Sequence, residues 1–265
     1  ISIFVFALLT TILFQILSNF ANDYGDGVKG TDNDNRVGPK RALQSGQISA
    51  QAFKIGLILT SILSLLSAII LIYLAFGQEN LMMSLVFLSL GIIAIIAAIK
   101  YTVGDSAYGY RGFGDVFVFI FFGLVSVCGS YVLYAKTLDL ILFLPGMSIG
   151  FLSSAVLNLN NMRDLNSDKA VQKNTLAVKL GLQKAKIYHF SLVILGLLSF
   201  VLFLSLQKLS FYSFMSLIPF IVLFIHLKFV IKNQDPKAFD PELKKVALST
   251  FGIAFIFFVV QNLLA

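Results

Sequence analysis

Cysteine, histidine and charge are all scarce in this chain. The single cysteine, Cys128, excludes an internal disulfide and a thiolate metal cluster, and its place inside an apolar run marks it as a small packing residue. His189 and His226 have no Cys or His neighbour at metal-ligand spacing, so both are read as packing residues too. No G-x-x-x-x-G-K-[ST] stretch occurs, which excludes soluble P-loop phosphate chemistry. Only 12% of the 265 residues are charged, against about 25% in a soluble domain. With 58% hydrophobic residues and 27 phenylalanines, the composition is that of an integral membrane protein.

A hydrocarbon core about 30 Å thick takes about 20 apolar residues at 1.5 Å each. Cutting the chain at Gly, Pro and charged clusters gives eight such runs, near 1–20, 52–76, 81–99, 115–135, 138–157, 187–206, 209–230 and 245–264. The period-2 alternation of a membrane barrel is missing, so the spans are helices. The expected fold is an all-α, multi-pass bundle, with residues 1–265 forming one intramembrane domain. The chain starts at Ile1, already inside an apolar run, so a truncated N-terminus is expected, and this first run is not read as a signal peptide.

The basic residues give an orientation. Eighteen of the twenty Lys and Arg fall after the first, third, fifth and seventh runs, while Lys136 and Lys208 alone fall on the opposite side. The positive-inside rule then puts the long loops in the cytoplasm and the C-terminus across the membrane. The net charge of +7 is a topology signal rather than a nucleic-acid footprint.

Acidic residues concentrate in two places, each where an apolar run meets a basic loop. The first stretch reads NFANDYGDGVKGTD from Asn19, and the second reads NLNNMRDLNSD from Asn158. At about 100° per residue, Asn19, Asn22 and Asp26 share one helix face, with Asp23 at its margin. The same arithmetic groups Asn160, Asn161, Asp164 and Asp168. Carboxylate and amide oxygens without His or Cys suit magnesium, which binds through one or two carboxylates plus substrate phosphate oxygens. Lys40, Arg41, Lys169 and Lys173 are placed to neutralise the remaining phosphate charge. Asn22 to Asn160 and Asp26 to Asp164 are both separated by 138 residues, the offset of two similar half-bundles around one central cavity.

Three segments carry a resemblance. NDYGDGVKGTD with RVGPKRALQSGQIS, then YTVGDSAYGYRGFGD, then NNMRDLNSDKAVQKNTLAVKLG closely resemble the naphthoate polyprenyltransferases of menaquinone biosynthesis, within the UbiA superfamily of intramembrane prenyltransferases. The resemblance implies nine helices, of which eight are visible here, and a cavity facing the cytoplasm with a lateral opening to lipid. It also implies a bacterial cytoplasmic membrane. The superfamily pattern NDxxDxxxD matches Asn22, Asp23 and Asp26, but its last Asp falls at Gly30, and Asp32 two residues later is taken as the metal-region residue. The second pattern, DxxxD, matches Asp164 and Asp168.

The implied reaction moves a polyprenyl group from its diphosphate to 1,4-dihydroxy-2-naphthoate with loss of carbon dioxide. Magnesium would be held by Asp23, Asp26, Asp32, Asp164 and Asp168, with Asp26, Asp164 and Asp168 the catalytic carboxylates. Tyr108, Tyr110 and Arg111 lie in a glycine-rich segment suited to a lid, although aromatics and Arg at a helix end also serve as interface anchors. Tyr24 has a ring able to face a carbocation, and equally the character of an interfacial tyrosine. Three rivals stay open: a relative with another aromatic acceptor, a CDP-alcohol phosphotransferase, and a cation-coupled transporter. The phosphotransferase pattern finds its D-G pair at Asp26 and Gly27, but Gly30 and Thr31 stand where it needs Ala-Arg. A transporter would hold its acids near the midplane rather than beside basic loops.

Overall fold

A computed structural model describes residues 1–31 and 41–264. Two of the expected site residues, Asp32 and Lys40, lie outside the described residues. The described residues form ten α-helices in order: α1 Ser2–Val28, α2 Ala50–Phe76, α3 Leu81–Lys100, α4 Gly114–Val118, α5 Ser126–Ala135, α6 Phe143–Arg163, α7 Leu165–Ala170, α8 Leu176–Leu206, α9 Pro219–Lys232 and α10 Asp240–Leu263. A π-helical segment, Phe119–Val125, fuses α4 and α5 into one span. Among the described residues, eight helices are long and apolar enough to cross a membrane, and no strand is present.

Local signals explain several helix ends. Ser49 accepts a hydrogen bond from the Ala52 amide at 3.2 Å, Asn80 from Met83 at 3.2 Å and Thr175 from Val178 at 3.4 Å, each satisfying an N–H that has no helical partner. Gly77 ends α2 at φ 60°, a conformation open to glycine without strain. Pro219 and Pro241 occupy first-turn positions, where a missing N–H costs nothing.

Two spans begin earlier than the apolar runs do. The sixth, expected from residue 187, starts at Leu176, and the eighth, expected from 245, starts with a turn at Pro236. Both lead-ins are helical but broken by charge, with Lys179, Lys184 and Lys186 in the first and Lys237, Asp240, Glu242 and Lys244 in the second, so hydropathy alone stops short of them. Inside α8 the backbone departs from helical geometry at Gly181, with φ 73° and ψ 160°, which separates the short capped lead-in from the long apolar part.

The chain divides into two compact units. The first comprises Ile1–Arg111, Ser130–Leu138 and Val171–Lys173. Leu17 and Ala21 of α1 pack against Leu57 of α2, joined by Phe20, Tyr24 and Ile95. A second cluster gathers Leu71, Ile72 and Phe76 with Val132 and Leu133. Thr10 and Ser67 exchange a hydroxyl hydrogen bond of 2.8 Å between α1 and α2. Outward-facing Ile58, Leu63 and Ile93 are about half exposed, as lipid contact requires.

The second unit comprises Gly112–Gly129, Asp139–Ala170 and Asn174–Ala265. Its central helix is α6, packed by α8, α10 and the π-helical segment. Lipid is as apolar as leucine, so helix association depends on close packing rather than water exclusion. Gly123 and Gly150 supply that approach: a Cβ on Gly123 would lie 2.5 Å from the Gly150 Cα. Leu152, Leu159, Val193, Leu204, Leu223 and Ile253 fill the core.

Candidate active site

Helix α1 continues past its apolar run, through the first acidic motif, to Val28. The motif therefore lies on a helix, as the one-face argument requires. Gly25 lets the following loop close on it: a Cβ there would meet the Thr102 Cβ at 2.6 Å, while the Thr102 hydroxyl donates to the Ala21 carbonyl at 2.8 Å. That contact brings the segment after α3 against the end of α1.

Asp26 is the centre of the resulting cluster and is only 2% exposed. Its Oδ1 accepts a hydrogen bond from the Tyr110 hydroxyl at 2.8 Å. The Lys173 ammonium stands 3.2 Å from Oδ2, and the Arg41 guanidinium 3.7 Å from the same oxygen. Arg41 also pairs with Asp23 at 2.8 Å. The Tyr110 hydroxyl shares a 2.5 Å hydrogen bond with Thr31, and its ring lies under Lys29 at 4.0 Å and Lys173 at 5.2 Å. Burial pulls the Lys29 ammonium below its ordinary value, against the pull of Asp26 and Asp105. An anionic carboxylate held by two cations and a phenol results, at the end of a membrane helix.

The second motif ends α6. Asp164 is its C-cap residue, and the short helix α7 carries Asp168, which is 5% exposed. The Arg163 guanidinium holds Asp164 with two bonds, Nε to Oδ1 at 2.8 Å and Nη2 to Oδ2 at 2.7 Å. Arg163 also donates to Asn160 Oδ1 at 2.7 Å and to Asp240 at 2.7 Å. The fork of one arginine thus ties together the motif amide, the motif carboxylate and the start of α10.

The structure brings Asp23, Asp26, Arg41, Tyr110 and Lys173 together, and separately Asn160 and Asp164. Other expected residues are placed as follows. Asn19 is exposed, and Tyr24 packs its ring into the apolar cluster around Leu17 rather than joining the polar one. The Tyr108 hydroxyl donates to the Ala97 carbonyl at 2.8 Å, anchoring the segment to α3, and burial pushes the phenol well above its usual range. Asn161 is buried, while Arg111 and Lys169 are exposed.

Sequence reasoning passed over Arg163, although an Arg between Asn160 and Asp164 is the nearest cation to the motif. It also read His189 and His226 as isolated packing residues. Their Nε2 atoms are 2.8 Å apart, and His226 Nδ1 is 2.6 Å from Glu242, which Lys245 caps at 2.5 Å. This buried chain links α8, α9 and α10, and only a contact between separate helices reveals it.

Magnesium fits the first motif. Among the described residues the buried Asn22 Oδ1 meets no hydrogen-bond donor; it lies one turn from the Asp26 carboxylate, and Asp23 adds a second carboxylate. Among the described residues no group of three or more His, Cys, Asp or Glu gathers as a closed metal cage. Magnesium does not need one, because it keeps waters and takes substrate phosphate oxygens.

Comparison with known proteins gives the family. The UbiA prenyltransferase family matches residues 1–259. The 1,4-dihydroxy-2-naphthoate octaprenyltransferase of Haemophilus influenzae is 44% identical over 96% of this chain and 82% of its own length. That of Escherichia coli is 45% identical over 90% of the chain and 77% of its own. The Mycobacterium tuberculosis protein of the same name is 36% identical over 75% and 65%. No solved structure matches the chain significantly. With a family match over nearly every residue, and acidic motifs ending α1 and α6, the chain belongs to the UbiA prenyltransferase family.

Proposed function

We propose that this prenyltransferase moves a polyprenyl group from polyprenyl diphosphate to 1,4-dihydroxy-2-naphthoate, releasing carbon dioxide and forming demethylmenaquinol. The observation that carries the proposal is the Asp26 cluster, a nearly fully buried carboxylate with Arg41, Lys173 and Tyr110 around it. A charge kept so far from water at a membrane helix end is costly unless it has work to do. The names of the similar bacterial enzymes supply the acceptor.

Asn22, Asp23 and Asp26 of the first motif, and Asp164 and Asp168 of the second, would each be able to hold magnesium. When bound, the ion neutralises the diphosphate and so assists its departure. Arg41 and Lys173 pass from Asp26 to phosphate oxygens as that charge arrives, a transfer between charge-assisted hydrogen bonds of similar strength. The allylic C–O bond breaks and its electron pair leaves with the diphosphate. The ring carbon bearing the carboxylate bonds to the allylic carbon, and the C–C pair of the departing carboxylate restores the aromatic ring. Apolar walls keep water from the carbocation. Tyr110 positions Asp26, and Asn160 with Arg163 fixes Asp164.

The chain works in the cytoplasmic membrane, with its basic loops and acidic motifs on the cytoplasmic side. A thermal-shift measurement tests the ligand assignment: magnesium and a prenyl diphosphate together should raise the melting temperature more than either alone. No shift with both present would contradict it.

A further inference from the structure

The end of the second unit where α9 leads into α10 carries more positive charge than its own carboxylates offset. Lys184, Lys228, Lys232, Lys237 and Lys244 are exposed, and none of them meets an ion-pair partner among the described residues. Of the three acids between residues 235 and 242, Asp240 is bonded to Arg163, and Glu242 to His226 and Lys245. Only Asp235 is left. The positive-inside rule accounts for lysines in a loop, but not for the depth of Lys228, which lies inside α9 about 6 Å along the axis before Lys232. A cation on the lipid side of a membrane helix is costly unless it reaches water or an anion.

Helical spacing puts these two lysines at the end of one stripe. At 100° per residue, Ile218, Ile221, Ile225, Lys228 and Lys232 fall within about 80° of the circumference of α9. The three isoleucines are each at least half exposed, while Leu223, His226 and Val230 are buried on the opposite side. Phe229, at the margin of the stripe, has the Lys245 ammonium 6.0 Å from its ring, which brings a cation of α10 to the same edge.

An apolar stripe that ends in two unpartnered lysines one turn apart complements a molecule with hydrocarbon chains and a phosphate. A free phosphate would leave the isoleucines uncovered. A diphosphate carried with magnesium calls for carboxylates, and α9 has none. A zwitterionic lipid brings its own cation to the lysines, which weakens the attraction.

We infer that this face of α9 binds an anionic phospholipid of the surrounding bilayer, with its phosphate at the Lys228 and Lys232 ammoniums and an acyl chain along Ile225, Ile221 and Ile218. The buried chain from Lys245 through Glu242 and His226 to His189 begins at the edge of that site. Bound lipid therefore stabilises the packing of the three helices that the chain joins.

Thermal unfolding of the purified full chain in neutral detergent, with dioleoyl phosphatidylglycerol or dioleoyl phosphatidylcholine added at equal mole fraction, tests the site. Phosphatidylglycerol should raise the melting temperature by about 3 °C or more over phosphatidylcholine. Lys228→Gln with Lys232→Gln should remove most of that difference, and Lys228→Arg with Lys232→Arg should keep it. Lys54→Gln with Lys100→Gln removes as many exposed lysines from α2 and α3 and should leave the difference unchanged. Glycerol 3-phosphate, a phosphate head without chains, should give no shift. Native mass spectrometry of the unaltered protein reads the site without any variant: phosphatidylglycerol should stay bound where phosphatidylcholine is lost. Equal response to the two lipids, the same shift with glycerol 3-phosphate, an equal loss in the Lys54 and Lys100 variant, or no preferential retention of phosphatidylglycerol overturns the site.

Discussion

The Tyr110 hydroxyl reaches Asp26 Oδ1 at 2.8 Å across 84 residues of chain. It also bonds to Thr31, so one phenol ties the segment after α3 to both ends of the first motif's last turn. The ring carries Lys29 and Lys173 against its face, which couples the position of two cations to the same residue.

Tyr110→Phe separates these roles. The ring and its cation contacts stay, while the hydrogen bond to Asp26 goes. The KM for the prenyl diphosphate and the magnesium requirement should rise about tenfold, the worth of one hydrogen bond to a charged group, with a small change in melting temperature. Steady-state kinetics over a magnesium series checks this. An unchanged magnesium response would remove Tyr110 from the positioning of Asp26.

Asp26→Asn keeps the shape of the side chain and removes its charge. Turnover should fall by at least about a hundredfold, because loss of metal-borne charge stabilisation is worth several kcal/mol. Circular dichroism should show the same helical content. Full activity in this variant would sink the metal assignment for the first motif.

Arg163→Ala leaves Asp164, which is 8% exposed, without its bidentate partner. Removing one side of a buried ion pair costs about 3–5 kcal/mol. The double variant Arg163→Ala with Asp164→Asn should recover much of that stability, since the orphaned charge is gone. Thermal unfolding of the four proteins in one detergent measures the coupling, and additive losses would mean the pair is not structural.

Gly123→Val tests the helix approach in the second unit. The new side chain has no room beside Gly150, so the variant should lose about 1–3 kcal/mol. Gly91→Ala is the control: its nearest neighbour would be Ala68 at 3.9 Å, an ordinary contact, and stability should hold or rise slightly.

Much of this was legible in the residues. The apolar runs located all eight spans, because hydrocarbon thickness imposes a length that hydropathy detects directly. Asp26 was legible as well, since an acid at the end of such a run has few structural excuses. Asp115 obeyed the same rule, at the start of its own span, but was read as the end of a loop because no second acid marked a motif. The helical lead-ins from Leu176 and Pro236 escaped because their lysines interrupt the apolar runs. What the sequence could not display were pairings between distant helices. Nothing local to Tyr110 points to Asp26, and nothing local to His189 points to His226.

The most direct measurement is turnover of membranes containing the full-length protein, supplied with 1,4-dihydroxy-2-naphthoate and a polyprenyl diphosphate, with magnesium and after chelation by EDTA. Prenylated quinol and carbon dioxide should appear together, in equal amounts, and only with magnesium. Prenylation of another aromatic acid alone would keep the family chemistry and reject this acceptor. No prenylation of any acceptor, with magnesium present and the protein folded, would contradict the assignment of the acidic motifs to prenyl diphosphate chemistry.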